Sequence, residues 1–86
     1  QLDEIQYLES YGNYVKLYLP NQMLLIHESI SHFEQVLPAE SFLRVHRSFM
    51  IRIQAIKSIV GNQVKLDGAV VPIGKSYKTV LKNRLF

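Results

Sequence analysis

The chain has 86 residues, 48% hydrophobic and 20% charged, with a mean hydropathy of +0.02. That is the profile of one small folded domain, and it argues against disorder. No apolar run approaches the roughly 18 residues of a membrane-spanning helix, and nothing resembles a secretory leader. Zero cysteines rule out a disulfide framework and point to the cytoplasm. The net charge of +3 conceals a sorting along the chain. Residues 1–43 hold six acids (Asp3, Glu4, Glu9, Glu28, Glu34, Glu40) against Lys16 alone. Residues 44–86 hold nine bases against Asp67 alone. Such asymmetry fits a polyanionic partner, although folding can also interleave the two halves into an ordinary solvated surface.

Taken in chain order, short segments alternate at period two between turn residues, which predicts strands. Glu4–Glu9 reads as the first, with Ile5 and Tyr7 on one side. Gly12 and Asn13, both tolerant of positive φ, turn the chain into Tyr14–Leu19, where Val15, Leu17 and Leu19 share a face. Pro20–Asn21 punctuates before a third strand over Gln22–Glu28. The period then changes: Ile30, Phe33, Val36 and Leu37 have helical spacing, with Ser29 or Ser31 as cap, Ser31 and Glu34 as a capping box, and Pro38 as the stop. Phe42–Ile53 reads as one core strand through Phe42, Val45, Phe49, Ile51 and Ile53, and further strands are predicted at Ile56–Val60, Gln63–Leu66 and Ala69–Ile73. Gly61–Asn62 and Asp67–Gly68 supply the hairpin turns. Tyr77, Val80, Leu81 and Leu85 predict a short C-terminal helix, with Ser76 as its cap. The sum is a mainly β domain with one internal short helix and a second at the end. The chain starts at Gln1 in mid-pattern, as an excised piece of a longer protein would.

No constellation here supports catalysis. His46 and Ser48 share a strand face, but a triad needs an orienting acid and oxyanion donors, and Asp67 in a turn is the only acid of that half. His27 and His32, five apart without cysteine partners, read as surface histidines, so no metal or cofactor is expected. Gly74-Lys75-Ser76 lacks the first glycine and the spacing of a phosphate-binding loop. Binding is the remaining use for the basic segments. Arginine suits it, because its planar fork pairs with phosphate or with guanine. The Gly74–Ser76 loop, followed by helical N–H groups, is suited to grip a phosphate. Plain solvation is the bland account of Lys75 and Lys78.

Three stretches taken together, IQYLESYGNYVKLYL (5–19), FLRVHRSFMI (42–51) and VPIGKSYKTVLKNRL (71–85), resemble the LytTR DNA-binding domain, the C-terminal output half of many bacterial response regulators. The F-x-R-V-H-R-S core, with E-S-x-G-N-Y-V upstream and P-I-x-K-x-Y downstream, is specific as a set. The resemblance implies an elongated arrangement of short, mostly antiparallel strands with little helix. It further implies that loops, and not a recognition helix, enter successive major grooves of double-stranded DNA. It assigns contacts to Asn13, Tyr14 and Lys16, to Arg47, and to Lys75 and Ser76 with Lys78 as a phosphate neighbour. Also implied are paired direct repeats, a homodimer on DNA, and an upstream receiver domain absent from this chain. Two departures stand out: Gly74 replaces a usual Ser, and Arg52 an often-seen Asn.

The expectation is therefore a single DNA-binding domain over 1–86. Arg44, His46 and Arg52 are further candidates. His46 reads as structural, hydrogen-bonded near the loop base, with DNA contact as the alternative. Arg44 reads either as a phosphate contact or as the partner of an acid from the first half. The competing function is a peptide-docking module that uses strand edges and Tyr11, Tyr14 and Tyr18.

Overall fold

Three of the two-residue turns that fold the strands back on one another use a glycine where a side chain would be strained. In the computed structural model, which describes residues 4–85, Gly12, Gly61 and Gly68 have φ of 58°, 59° and 80°. No other described residue has positive φ, so Asn13 does not use the freedom expected of it. Gly12 and Gly61 come first in their turns, as type II′ hairpins require. Gly68 comes second, after Asp67, which is the sign pattern of a type II turn.

Eight strands result: β1 (Tyr7–Tyr11), β2 (Tyr14–Tyr18), β3 (Met23–Ile26), β4 (Phe42–His46), β5 (Phe49–Arg52), β6 (Ser58–Val60), β7 (Gln63–Leu66) and β8 (Ala69–Pro72). Two helices, α1 (Ile30–Val36) and α2 (Lys78–Leu85), complete the architecture. The strands form a five-stranded sheet in the order β3-β2-β1-β5-β4 and a three-stranded sheet β6-β7-β8, antiparallel throughout. The body measures 32 × 24 × 22 Å.

The larger sheet is the middle layer, and period-two alternation loads each of its faces with a separate core. On one face Leu8, Val15, Leu17, Phe42 and Met50 meet Ile30 of α1 and Leu37 just beyond it. On the other, Leu43, Val45 and Ile51 meet Val64, Leu66 and Val71 of the smaller sheet, Ile73 just beyond it and Leu81 of α2. Ile5 and Tyr7, read from the sequence as sharing a side, join opposite cores because Ile5 precedes the strand. Edge strand β3 is exposed at all four apolar residues.

Four expectations are corrected. Phe42–Ile53 is not one strand but two, β4 and β5, turning at Arg47–Ser48, with a register shift between Arg44 and His46. The polar His-Arg-Ser run has no place inside a core, and its backbone groups are satisfied locally instead. Phe49 and Ile53 are consequently only half-buried, while Leu43 and Met50 take the core positions. Ser29 alone caps α1, accepting from the His32 N–H at 3.1 Å, and Glu34 turns to Arg44, so the Ser31–Glu34 capping box does not form. Ser76 caps nothing. It lies inside a 3-10 turn (Lys75–Tyr77) that leads into α2, and Gly74 at the head of that turn offers no capping side chain.

Facing residues Tyr7 and Tyr18 of β1 and β2 stack with ring centroids 4.2 Å apart and 12° between planes. The Tyr18 hydroxyl donates to Glu9 Oε1 at 3.0 Å. Burial first, and then the Glu9 hydrogen bond and charge, push the Tyr18 phenol from 10.0 up to about 12. Tyr7 shifts in the same direction, through burial and then Glu9. The fold therefore favours the neutral phenol. The stability this supplies is fully present below pH 10.0 and is lost as the pH rises toward about 12. Urea denaturation across that interval should show stability falling with pH, and falling less steeply in Tyr18→Phe. A variant with the same alkaline slope as the parent would remove this pair from the explanation.

Candidate nucleic-acid interface

Backbone pairing decides which loops meet. In the β1–β5 pairing Leu8 faces Met50 and Glu9 faces Phe49, and the Ser10 N–H reaches the Ser48 carbonyl at 2.8 Å. The Gly12–Asn13 turn and the Arg47–Ser48 turn therefore project side by side from one end of the sheet. A third loop is tied to the same end, since the Gly74 N–H donates to the Val45 carbonyl at 2.7 Å. A Cβ on Gly74 would lie 3.0 Å from Tyr77 Cδ2 and 3.4 Å from His46 Cα, so a glycine is what lets this loop come so close. The Ile73 N–H donates to the Asn62 carbonyl at 2.7 Å and adds the Gly61–Asn62 turn to the row. From β2 to β4 the row covers three strand spacings, roughly 15 Å.

The side chains follow this frame. Arg47 is exposed at the apex of its turn, and together with His46, Gly74, Lys75, Ser76 and Tyr77 it lines an open cleft of about 420 Å³. Lys78 opens next to this into a recess of about 250 Å³ shared with Asn62, Ile73 and Lys75. Asn13 is exposed at its hairpin tip, and Tyr14 beside it is 41% exposed with its ring 5.0 Å from that of His27. Lys16 stands three residues on from Asn13, with its ammonium 4.1 Å from the Tyr11 ring centroid. Among the described residues, no carboxylate pairs with Arg47, Lys75 or Lys78.

The other candidates are otherwise engaged. His46 accepts the Ser48 N–H at Nδ1 (3.0 Å) and meets the Phe49 ring edge-on at 5.5 Å. Arg44 pairs with Glu34 Oε1 at 2.6 Å, donates from Nε to the His46 carbonyl at 2.9 Å, and from Nη2 reaches the Arg47 carbonyl. Arg52 lies at the far end of β5, where it donates to the Ile5 carbonyl (3.0 Å) and Gln6 Oε1 (3.2 Å) and so fastens the segment before β1. The structure thus gathers Arg47, Lys75 and Ser76 at one cleft, sets Lys78 beside it, and places Asn13 and Tyr14 on the neighbouring tip. Arg52 is separated from all of them. His27 and Asn62 were not among the predicted contacts. Asn62 repeats the Gly-Asn pairing of the first tip, and that was the signal available for it.

The model of the LytTr DNA-binding domain family matches residues 1–86. The chain belongs to that family. It is 29% identical over 98% of its length to the sensory transduction protein LytT of Bacillus anthracis, and 32% identical over 70% of its length to LytT of Bacillus subtilis. It spans 37% and 27% of the lengths of those relatives. Among solved structures it superposes with a TM-score of 0.91 on the LytTr DNA-binding domain of a methyl-accepting/DNA response regulator from Bacillus cereus. That match has 27% identity and covers 98% of this chain and 83% of the other.

Within this LytTR domain the two neighbouring arginines should respond oppositely to truncation. Among the described residues Arg47 has no side-chain partner, so Arg47→Ala should change unfolding free energy by less than about 1 kcal/mol. Arg44→Ala strips two turn carbonyls and a carboxylate of a shared donor and should cost about 2 kcal/mol. Urea denaturation of both variants checks this ordering, and a reversal would show that Arg47, not Arg44, is built into the fold.

Proposed function

We propose that this domain binds double-stranded DNA in a sequence-specific way, as the output domain of a bacterial transcriptional response regulator in the cytoplasm. One observation carries the reading. Three loops that are remote in sequence project from one end of the larger sheet, and among the described residues the cations on them lack carboxylate partners. Asn13 and Tyr14 flank one side of Arg47, and Lys75, Ser76 and Lys78 flank the other. The outer loops enter successive major grooves of one duplex face while Lys16 and Lys78 meet phosphates. Arg47 is the base reader, because a guanidinium at an exposed apex can pair bidentately with guanine O6 and N7. Two domains on paired direct repeats, assembled as a homodimer under control of an upstream receiver domain, complete the proposal. The sensory transduction relatives, of which this chain spans about a third, support that context.

Peptide docking is the second reading, and the open apolar edge at β3 favours it. Its tyrosine anchors are less available than the sequence suggested, since Tyr18 is engaged by Tyr7 and Glu9 and Tyr14 lies against His27. Fluorescence anisotropy with a duplex recovered by selection from a random library separates the two readings. If Lys16, Lys75 and Lys78 each neutralise one phosphate, log K should fall with log salt at a slope of roughly −3. Absence of duplex binding, or affinity indifferent to salt, would refute the DNA reading.

A further inference from the structure

Arg44 has 12% of its side-chain surface exposed, which is low for a cation beside a DNA-facing turn. Two of its three acceptors are the consecutive carbonyls of His46 and Arg47, and the third is a carboxylate of α1. The β4–β5 ladder is irregular here, with the register shifting between Arg44 and His46. Side-chain bonds therefore hold the tip as much as strand pairing does. The guanidinium is rigid and planar, so fixing one edge on Glu34 fixes the direction in which its other N–H groups point. Without Glu34, Arg44 becomes an unpaired cation close to the proposed phosphate contacts. It can then swing outward and release both carbonyls.

We propose that Glu34 and Arg44 form a positioning pair that holds the Arg47 turn in its DNA-reading shape, with Glu34 acting on DNA through Arg44 alone. This rests on the DNA-binding reading above. It makes α1 a brace for the reading turn as well as a cover for one core. It also sets the sign of the test. Removing a carboxylate from the neighbourhood of a polyanion should strengthen binding if electrostatic attraction is all that matters. Loss of positioning weakens it.

The test uses Glu34→Gln in the full 86-residue chain, measured on the selected duplex and on a random-sequence duplex. Binding to the selected duplex should fall about tenfold, within the coupling seen among residues of one hydrogen-bonded network, while random-duplex binding does not weaken. In an Arg47→Ala background the same substitution should have no further effect on the selected duplex. Tighter binding by Glu34→Gln, or an equal additional loss in the Arg47→Ala background, overturns the proposal. Amide exchange in the free protein supplies a readout without DNA. The Ser48 N–H, held by His46 Nδ1, should exchange about tenfold faster in Glu34→Gln. Unchanged exchange also overturns the proposal. If the parent chain binds neither duplex, the DNA reading falls and the positioning role falls with it, while the exchange result still tells whether the brace orders the turn.

Discussion

Everything at the interface depends on β1 pairing with β5. These strands belong to different hairpins, separated in sequence by β2, β3, α1 and β4, and their antiparallel register places Leu8 opposite Met50. Both residues point into the core under α1. A slip of one residue would turn that apolar set toward the other face, so burial fixes the register. The register in turn fixes the relative height of the two hairpin tips, down to the bond between the Ser10 N–H and the Ser48 carbonyl. A packing requirement in the middle of the sheet therefore becomes a placement of loops at its end. The third loop needs a separate device, because it follows the smaller sheet. Its device is the Gly74–Val45 hydrogen bond, at a place where a Cβ would lie 3.0 Å from Tyr77 Cδ2.

The charge sorting along the chain takes on a different meaning once the fold is known. Acids of the first half do meet cations of the second, but selectively. Glu34 takes Arg44, whereas Glu9 takes a tyrosine hydroxyl and Glu28 sits by His32. Arg52 and Arg84 are occupied by neutral acceptors, the latter donating to the Ala39 carbonyl at 2.7 Å. Among the described residues, the cations on the proposed interface lack a carboxylate. Total charge is thus a poor guide to binding here, and the distinction between occupied and unoccupied cations is the useful one. Exposed ion pairs add little to stability in any case, so leaving Arg47, Lys75 and Lys78 unpaired costs the fold almost nothing.

Period-two alternation locates six of the eight strands to within a few residues, and the Gly-Asn and Asp-Gly dipeptides locate turns between them, because both signals are local. The failure at Phe42–Ile53 was also local in origin. Hydrophobic residues continue on both sides of His46-Arg47-Ser48, and nothing in the pattern marks a turn without glycine or proline. What makes the turn is a set of side-chain bonds from Arg44 and His46, and these become visible only when Glu34 is brought across from α1. The same holds for Ser76, whose neighbours suggest a cap although it lies inside the 3-10 turn that precedes the helix. Arg44 and Arg47 look equivalent in the sequence. Only the fold distinguishes the cation that holds the turn from the one the turn presents.

That distinction bears on how a domain of this kind achieves precision without a recognition helix. Neither helix is suited to lie in a groove: α1 has seven residues and is anchored through Ile30, and α2 is anchored through Leu81. On the proposed function reading falls to loops, which are ordinarily the most mobile parts of a protein. A helix brings its own rigidity to a groove, whereas a loop must borrow it. Here one source is the sheet, through Ser10–Ser48 and Gly74–Val45, and the other is the Glu34–Arg44 brace. Both lie just behind the surface that would meet DNA and neither needs to touch it. Variation at Asn13, Arg47 or Lys75 could then alter which sequence is read while the supports stay the same, which is a physical reason for separating the supporting arginine from the presented one.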